Sequence, residues 1–225
     1  MKILDRRSSE TAREYAFRII KNNIVSLEFV PGTFVSENEI ASSLGLSRTP
    51  VREAIIDLAK DYVIETIPQR GNLVTLIDLE LVEEARFLRQ VLDKAVIELA
   101  CKSKNSEDIV KLEENVQLQE FYLEKKAYEK LYELDDLFHE TIYLMAKKTG
   151  IYEMRSNMMI HFDRVRTLSV EAVDESQRVK DHKDMLEAIK KQDIKKAVEL
   201  VDVHMDRFLV DKDLIRDKHP EYFKA

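Results

Sequence analysis

A chain of 225 residues with 44% hydrophobic composition can bury one large core or two smaller ones. No apolar run approaches the roughly 20 residues that a membrane span needs, and the start Met1-Lys2-Ile3-Leu4-Asp5-Arg6-Arg7 lacks the hydrophobic stretch of a secretion signal, so a cytoplasmic protein is expected. A formal net charge of −7 excludes a surface coated in basic charge, but the charge is uneven: residues 1–77 carry ten Lys and Arg against ten Asp and Glu, and residues 78–225 carry 26 against 33.

Three of the four glycines and three of the four prolines fall before residue 72, which predicts a turn-rich first domain, 1–77, and a helical second one, 78–225. Residues 10–29 read as an amphipathic helix, with Ala12, Tyr15, Ala16, Ile19, Ile20, Ile24 and Leu27 at helical spacing before Val30-Pro31-Gly32. Ser36-Glu37-Asn38-Glu39 has the form of a capping box and opens a short helix over about 37–44. Gly45 breaks that helix, and Ser47-Arg48-Thr49-Pro50 starts another, with Ser47 or Thr49 as N-cap and proline in the first turn. Helix, glycine turn and helix is the order of a helix-turn-helix. Val51, Ala54, Ile55 and Leu58 form the inward stripe of the second helix and leave Arg48 and Arg52 outward together. Tyr62–Ile67 and Leu73–Leu76, flanking Pro68-Gln69-Arg70-Gly71-Asn72, read as a two-stranded wing with Arg70 near its tip.

A helix laid in the major groove reads base edges best with arginine, whose guanidinium pairs with guanine through two hydrogen bonds. Arg48 and Arg52 are placed for that role; Ser47 and Thr49, beside a helix N-terminus, suit phosphate oxygens, and Arg70 suits the adjacent minor groove. Two arginines four apart are, on their own, most often a solvated face. The run Ser47-Arg48-Thr49-Pro50-Val51-Arg52-Glu53-Ala54, with Ser36-x-x-Glu39-Ile40-Ala41, Leu44-Gly45-Leu46 and Arg70-Gly71 around it, resembles the GntR superfamily DNA-binding domain. The resemblance covers residues 24–76 and implies DNA contacts from Ser47, Arg48, Thr49, Arg52, Arg70 and Gly71. The chain departs from the family at Tyr62, where a glycine usually closes the recognition helix, and at Asn38, where some members carry a basic residue.

From Asp78 onward only helical periodicity appears, near 79–102, 106–124, 127–148, 151–172, 176–191 and 193–212, with Gly150 closing one helix and Arg216 to Ala225 forming a loose polar tail. Cys101 lies in the apolar series Val91, Ala95, Leu99 and reads as a buried, inert thiol. Asp135 and His139, four apart, share one helical face and can chelate one ion. His182 and His204 lie on the last two helices beside the apolar residues Met185, Leu186, Ile189, Val201 and Phe208. Three imidazoles and a carboxylate from three helices suit a metal site in a bundle core, although any one such histidine is more often a satisfied core residue.

The pattern Asp-x-x-Phe-His, a later His-x-x-Met-Leu-x-Ala-Ile, and a histidine about twenty residues on is similar to the FCD effector domain of the FadR-like branch, over roughly 79–210. That resemblance implies an antiparallel bundle of six or seven helices holding one divalent ion on Asp135, His139, His182 and His204, with Arg89 of Arg89-x-x-x-Asp93 beside the effector. Asp136 and His161 match nothing in it and are expected to be structural or exposed, and His219 belongs to the tail. One carboxylate and three neutral imidazoles leave a divalent ion with net charge of about +1, which favours an anionic oxygen donor and hence a small carboxylate effector. Nitrogen-rich ligation suits zinc or nickel better than magnesium or calcium. The expected protein is a mainly α homodimer on a palindromic operator, its DNA affinity set by a small organic acid. Two other readings stand beside it: a regulator for which the metal itself is the signal, and a metal-dependent hydrolase, for which the sequence offers no separate general base.

Overall fold

In the computed structural model, which describes residues 1–103, 105–169 and 173–225, helix α1 (Ala12–Val25) starts where Thr11 and Glu14 cap each other reciprocally, a capping box the sequence reading did not mark. α1 stops at Ser26, short of the expected 29, because Leu27 turns into the left-handed region at φ 60°. Strand β1 (Phe34–Val35) follows, then α2 (Glu37–Leu44), whose N-cap Ser36 accepts from the Glu39 amide at 3.4 Å. Gly45, at φ 64°, closes α2 and aims the chain into α3 (Arg48–Lys60). Ser47 takes the N-cap position of α3 without a side-chain cap bond.

Strands β2 (Ile64–Ile67) and β3 (Gly71–Val74) form the expected hairpin, with Ile64 opposite Val74 and Ile67 opposite Gly71. The wing is three-stranded rather than two-stranded, because β1 pairs antiparallel with β3, Phe34 lying opposite Leu73. A two-residue strand carries too little alternation to be read from sequence. The corner at Tyr62 keeps the left-handed conformation, at φ 58°, that glycine would adopt there, so the substitution leaves the turn intact and adds strain.

The helices that follow are α4 (Leu79–Cys101), α5 (Ser106–Glu124), α6 (Tyr128–Met145), α7 (Thr149–Arg155), α8 (Met159–Ser169), α9 (Ser176–Lys190) and α10 (Ile194–Lys218). The segment expected as one helix over 151–172 is two, broken around Ser156 and Asn157, and its last residues, 170–172, lie outside the described residues. Gly150 does not end a helix; it sits inside α7. The tail is also not loose. α10 runs on to Lys218, a 3₁₀ turn spans Pro220–Tyr222, and Phe223 is buried. The Ile77 amide donates to the Tyr222 carbonyl at 2.7 Å, and the Lys224 amide donates to the Ile77 carbonyl at 2.9 Å. Apolar Phe223 supplies the anchor that a count of the tail's polar residues overlooks.

The described residues gather into two compact units. Unit 1 takes Met1–Glu83, Asn157–Leu168 and Arg216–Ala225; unit 2 takes Glu84–Ser156 and Ser169–Ile215. In unit 1, Ala16, Ile20 and Ile24 of α1, Val51, Ile55 and Leu58 of α3, Val74 of β3 and Ile160 of α8 form one apolar cluster. In unit 2, α5 packs on α6 and α9 around Leu112, Val116, Phe138, Ile142, Met185 and Ile189. Cys101 is buried there, and desolvation pushes its thiol up to about 11, so it stays a thiol at neutral pH.

The two helical glycine sites predict opposite outcomes for one substitution. Gly45→Ala forces a Cβ into the left-handed region and lowers stability by about 1 kcal/mol. Gly150→Ala meets open space at an ordinary helical φ and raises it by about 0.5–1 kcal/mol. Hydrogen exchange of the amides in each unit, read separately, is the measurement that checks the two signs.

Candidate metal centre and nucleic-acid interface

Unit 2 places four potential ligands at one point. Asp135 and His139, one turn apart on α6, meet His182 of α9 and His204 of α10, and one ligand atom from each lies within 4.8 Å of the other three. The imidazole centroids are 5.2 Å apart for His139–His182, 5.4 Å for His139–His204 and 4.8 Å for His182–His204. Phe138, stacked on His182 at 4.5 Å, closes one side with an apolar face.

Each imidazole faces an outer polar side chain through Nδ1. His139 Nδ1 lies 3.4 Å from Asp93 Oδ2, His182 Nδ1 lies 2.7 Å from Gln119 Oε1, and His204 Nδ1 lies 3.5 Å from Asp181 Oδ2, the last beyond hydrogen-bond geometry. Outer partners of this kind fix the ring orientation and tautomer of metal-binding histidines and leave Nε2 to coordinate. His139 Nε2 and His182 Nε2 are buried and meet no hydrogen-bonding partner among the described residues, although His182 Nε2 stands 3.4 Å from Asp135 Oδ1. A buried acceptor without a partner costs free energy, and a divalent cation between these groups would satisfy both nitrogens and the carboxylate together. The donor set therefore fits a metal.

Electrostatics point the same way. Desolvation, aided by the nearby Arg89 guanidinium, pushes His139 down to about 4, and desolvation drives His182 well below its ordinary value. Both rings are thus neutral at physiological pH, the form that binds metal. Burial acts to raise the Asp93 carboxyl, but His139 and Arg89 outweigh it and hold it well below the carboxylate range. Asp181 is likewise opposed by burial and held down to about 2 by Arg207, which grips it through two bonds of 2.5 and 2.7 Å.

Arg89, expected beside the effector, is buried at this centre: its Nε donates to Asp93 Oδ2 at 3.2 Å and its Nη2 stands 3.7 Å from Asp135 Oδ2. Tyr143 donates to the other Asp93 oxygen at 2.7 Å. Asp93, Gln119, Asp181 and Tyr143 escaped the sequence reading as supports. Gln119 had a signal, a polar residue on the Leu112–Val116 stripe of α5, whereas Asp181 looked like any charge beside a histidine. Asp136 is exposed, and His161 is buried far along the chain, in unit 1.

In unit 1, Ser47, Arg48, Thr49 and Arg52 are all exposed on the first turns of α3. Arg48 is paired across the turn, its Nε 2.9 Å from Glu37 Oε2 of α2. Arg70 projects from the β2–β3 turn with its guanidinium over the Phe34 ring at 5.2 Å, and Gly71 at φ 113° starts β3 beneath it. A basic group on a stiff aromatic platform at a hairpin tip suits a narrow groove lined with phosphates.

Comparison with known proteins matches these two regions separately. Residues 12–74 match the bacterial regulatory proteins of the gntR family, and residues 84–207 match the FCD domain. The HTH-type transcriptional repressor RspR of Escherichia coli is 29% identical over 216 residues, spanning 96% of this chain and 95% of that protein. An uncharacterized HTH-type transcriptional regulator of Escherichia coli, YdfH, is 30% identical over 208 residues, spanning 92% and 91%. Among solved structures, Escherichia coli McbR/YncC superposes with a TM-score of 0.79 at 19% identity, covering 93% of this chain and 100% of that one. A GntR regulator from a Rhodococcus species superposes with a TM-score of 0.70 at 18% identity, covering 90% and 97%. The structural likeness establishes the shared fold, and the domain matches establish descent: this chain belongs to the gntR family of bacterial transcription regulators, a DNA-binding protein of the branch that carries an FCD domain.

Proposed function

We propose that this regulator is a cytoplasmic homodimeric repressor whose grip on operator DNA is set by a small carboxylate bound at a divalent cation in unit 2. The observation that carries the reading is the convergence of Asp135, His139, His182 and His204, with two buried Nε2 atoms left without a partner among the described residues. Those four residues would hold the ion, zinc or nickel by their donor chemistry, and the ion would supply a Lewis-acidic position for an anionic oxygen. Arg89 adds a second positive charge for the same anion, and Asp93 keeps that guanidinium oriented.

Ser47, Arg48, Thr49 and Arg52 would enter the major groove, with Arg70 and Gly71 at the neighbouring phosphates or minor groove. The functional division is then residues 1–77 for DNA and 78–225 for effector and pairing. On α4, Phe87, Val91 and Leu99 expose apolar side chains at spacings of four and eight residues, a stripe suited to pairing two copies through C-terminal helices. RspR is a transcriptional repressor, and the organisation shared along almost the whole of both chains favours repression here as well. No described helix is long and apolar enough to cross a membrane.

Three outcomes check this reading. Arg48→Gln and Arg52→Gln each lower affinity for a duplex enriched by the wild type from a random pool, by about 1–3 kcal/mol, and flatten the preference at the base contacted; fluorescence anisotropy reads both.

Metal content by mass spectrometry is expected near one divalent ion per chain, lost in His182→Ala. A thermal-shift screen of the zinc-loaded wild type against small organic acids then shows a stabilising acid, and His182→Ala does not respond. A response of operator affinity to zinc alone, at low free concentration, would assign the signal to the metal instead. Absence of both responses would remove the pocket.

The metal-free protein should lose stability as pH falls from about 6.5 toward 4. In that window unfolded histidines take up protons, while His139, held at about 4, and His182, held lower still, do not, so acid favours unfolding. The depressed carboxylates Asp93 and Asp181 act in a separate window, below their ordinary value near 3.8. Urea midpoints measured across pH 4–7, with and without zinc, separate the two, since protons also displace the metal and steepen the dependence.

A further inference from the structure

The residues matching the FCD domain, 84–207, include all of α8, yet α8 from Met159 to Leu168 belongs to unit 1. Its Ile160 is fully buried in the same apolar cluster as α1, α3 and β3. Three of its side chains bond backbone carbonyls at the ends of three other elements. His161 Nε2 donates to the carbonyl of Asp61, the C-cap of α3, at 2.7 Å. Arg164 Nη2 donates to the carbonyl of Thr75, just past β3, at 2.5 Å. Thr167 Oγ1 donates to the carbonyl of Val25, the last residue of α1, at 2.9 Å. Two of these bonds bracket the strained corner at Tyr62, whose carbonyl accepts from Thr75 Oγ1 at 2.9 Å.

We propose that α8 is a positioning helix for DNA reading: His161, Arg164 and Thr167 set the angle of the recognition helix against the wing without touching DNA, metal or effector. The lever is long. α3 has 13 residues, hence a length of roughly 20 Å, so a tilt of about 3° at its C-cap moves its N-terminal arginines by about 1 Å. Hydrogen bonds to base edges tolerate less than that, whereas contacts to phosphates through long side chains adapt. Loss of α8 bonds therefore costs sequence selectivity before it costs attraction to duplex.

Arg164 shows that the arrangement is not maintained for stability. Its side chain is fully buried, its Nε and Nη1 meet no partner among the described residues, and desolvation pulls it down to about 10. Burying a guanidinium with so few bonds costs free energy that an apolar residue of similar size would not. The neighbours of α8 in the chain, α7 and α9, lie in unit 2, and α9 carries His182, so the chain joins α8 on both sides to helices of the effector unit.

The inference rests on the chain reading DNA, and the test separates the two. The full-length, zinc-loaded protein and its Arg164→Met, His161→Leu and His161→Gln variants are measured against the duplex enriched by the wild type and against a random-sequence duplex of equal length, together with the thermal midpoint. Arg164→Met and His161→Leu are expected to lose tenfold or more in affinity for the enriched duplex and less than twofold for the random one. The midpoint of Arg164→Met stays level or rises. His161→Gln, which keeps a donor, recovers to within threefold of the wild type. Should Arg164→Met fail to fold, the His161 pair decides. Unchanged selectivity in the folded variants, equal losses on both duplexes, or no recovery in His161→Gln overturns the positioning role alone. A wild type that enriches no duplex overturns the DNA reading itself, and this inference with it.

Discussion

Three imidazoles and one carboxylate, gathered in one buried cluster where the Nε2 atoms of His139 and His182 meet no partner among the described residues, are the constraint on which unit 2 is organised. Burial alone would expel such groups, so the surrounding helices hold them: Asp93 behind His139, Gln119 behind His182 and Asp181 behind His204. Each support is itself committed, Asp93 to Arg89 and Tyr143, Gln119 to Asn115, and Asp181 to Arg207. His139 and His182 each keep an Nε2 without a partner among the described residues, and both belong to the four-residue cluster with Asp135 and His204. Such preorganisation raises the free energy of the empty site and lowers the cost of ordering ligands when a cation arrives.

Unit 1 shows a related economy. A winged helix assembled from α1, α2, α3 and a three-stranded sheet is completed by α8 and by residues 216–225, which add Ile160 and the bridge from Ile77 to Phe223. The linker residue Ile77 is therefore bonded on both sides by the C-terminal segment, and Asp78 pairs with Lys224 at 2.8 Å. The C-terminal segment thus stabilises the exit of the wing. Any change in the C-terminal segment acts on the DNA-reading unit directly.

Much of this was legible in the sequence because local physics wrote it there. The glycine at 45, the cap at Ser36 and the inward stripe Val51, Ala54, Ile55, Leu58 each dictate local backbone or burial, and the structure has all three. The helical spacing of Asp135 and His139 placed them on one face, and the family resemblance joined them to His182 and His204. What was not legible depends on contacts distant in the chain. β1 exists because β3 offers it an edge; the tail is ordered because Ile77 offers it backbone groups; the break at Ser156 separates two helices that belong to different units. Asp93, Gln119 and Asp181 gain their roles only from which imidazole each one faces.

The most direct measurement of the central claim is X-ray absorption spectroscopy of the zinc-loaded protein in solution. The account predicts a first shell of three imidazole nitrogens and carboxylate oxygen at about 2.0–2.1 Å, with one imidazole fewer in His182→Ala. A shell without histidine scattering, or one unchanged by that substitution, would contradict it.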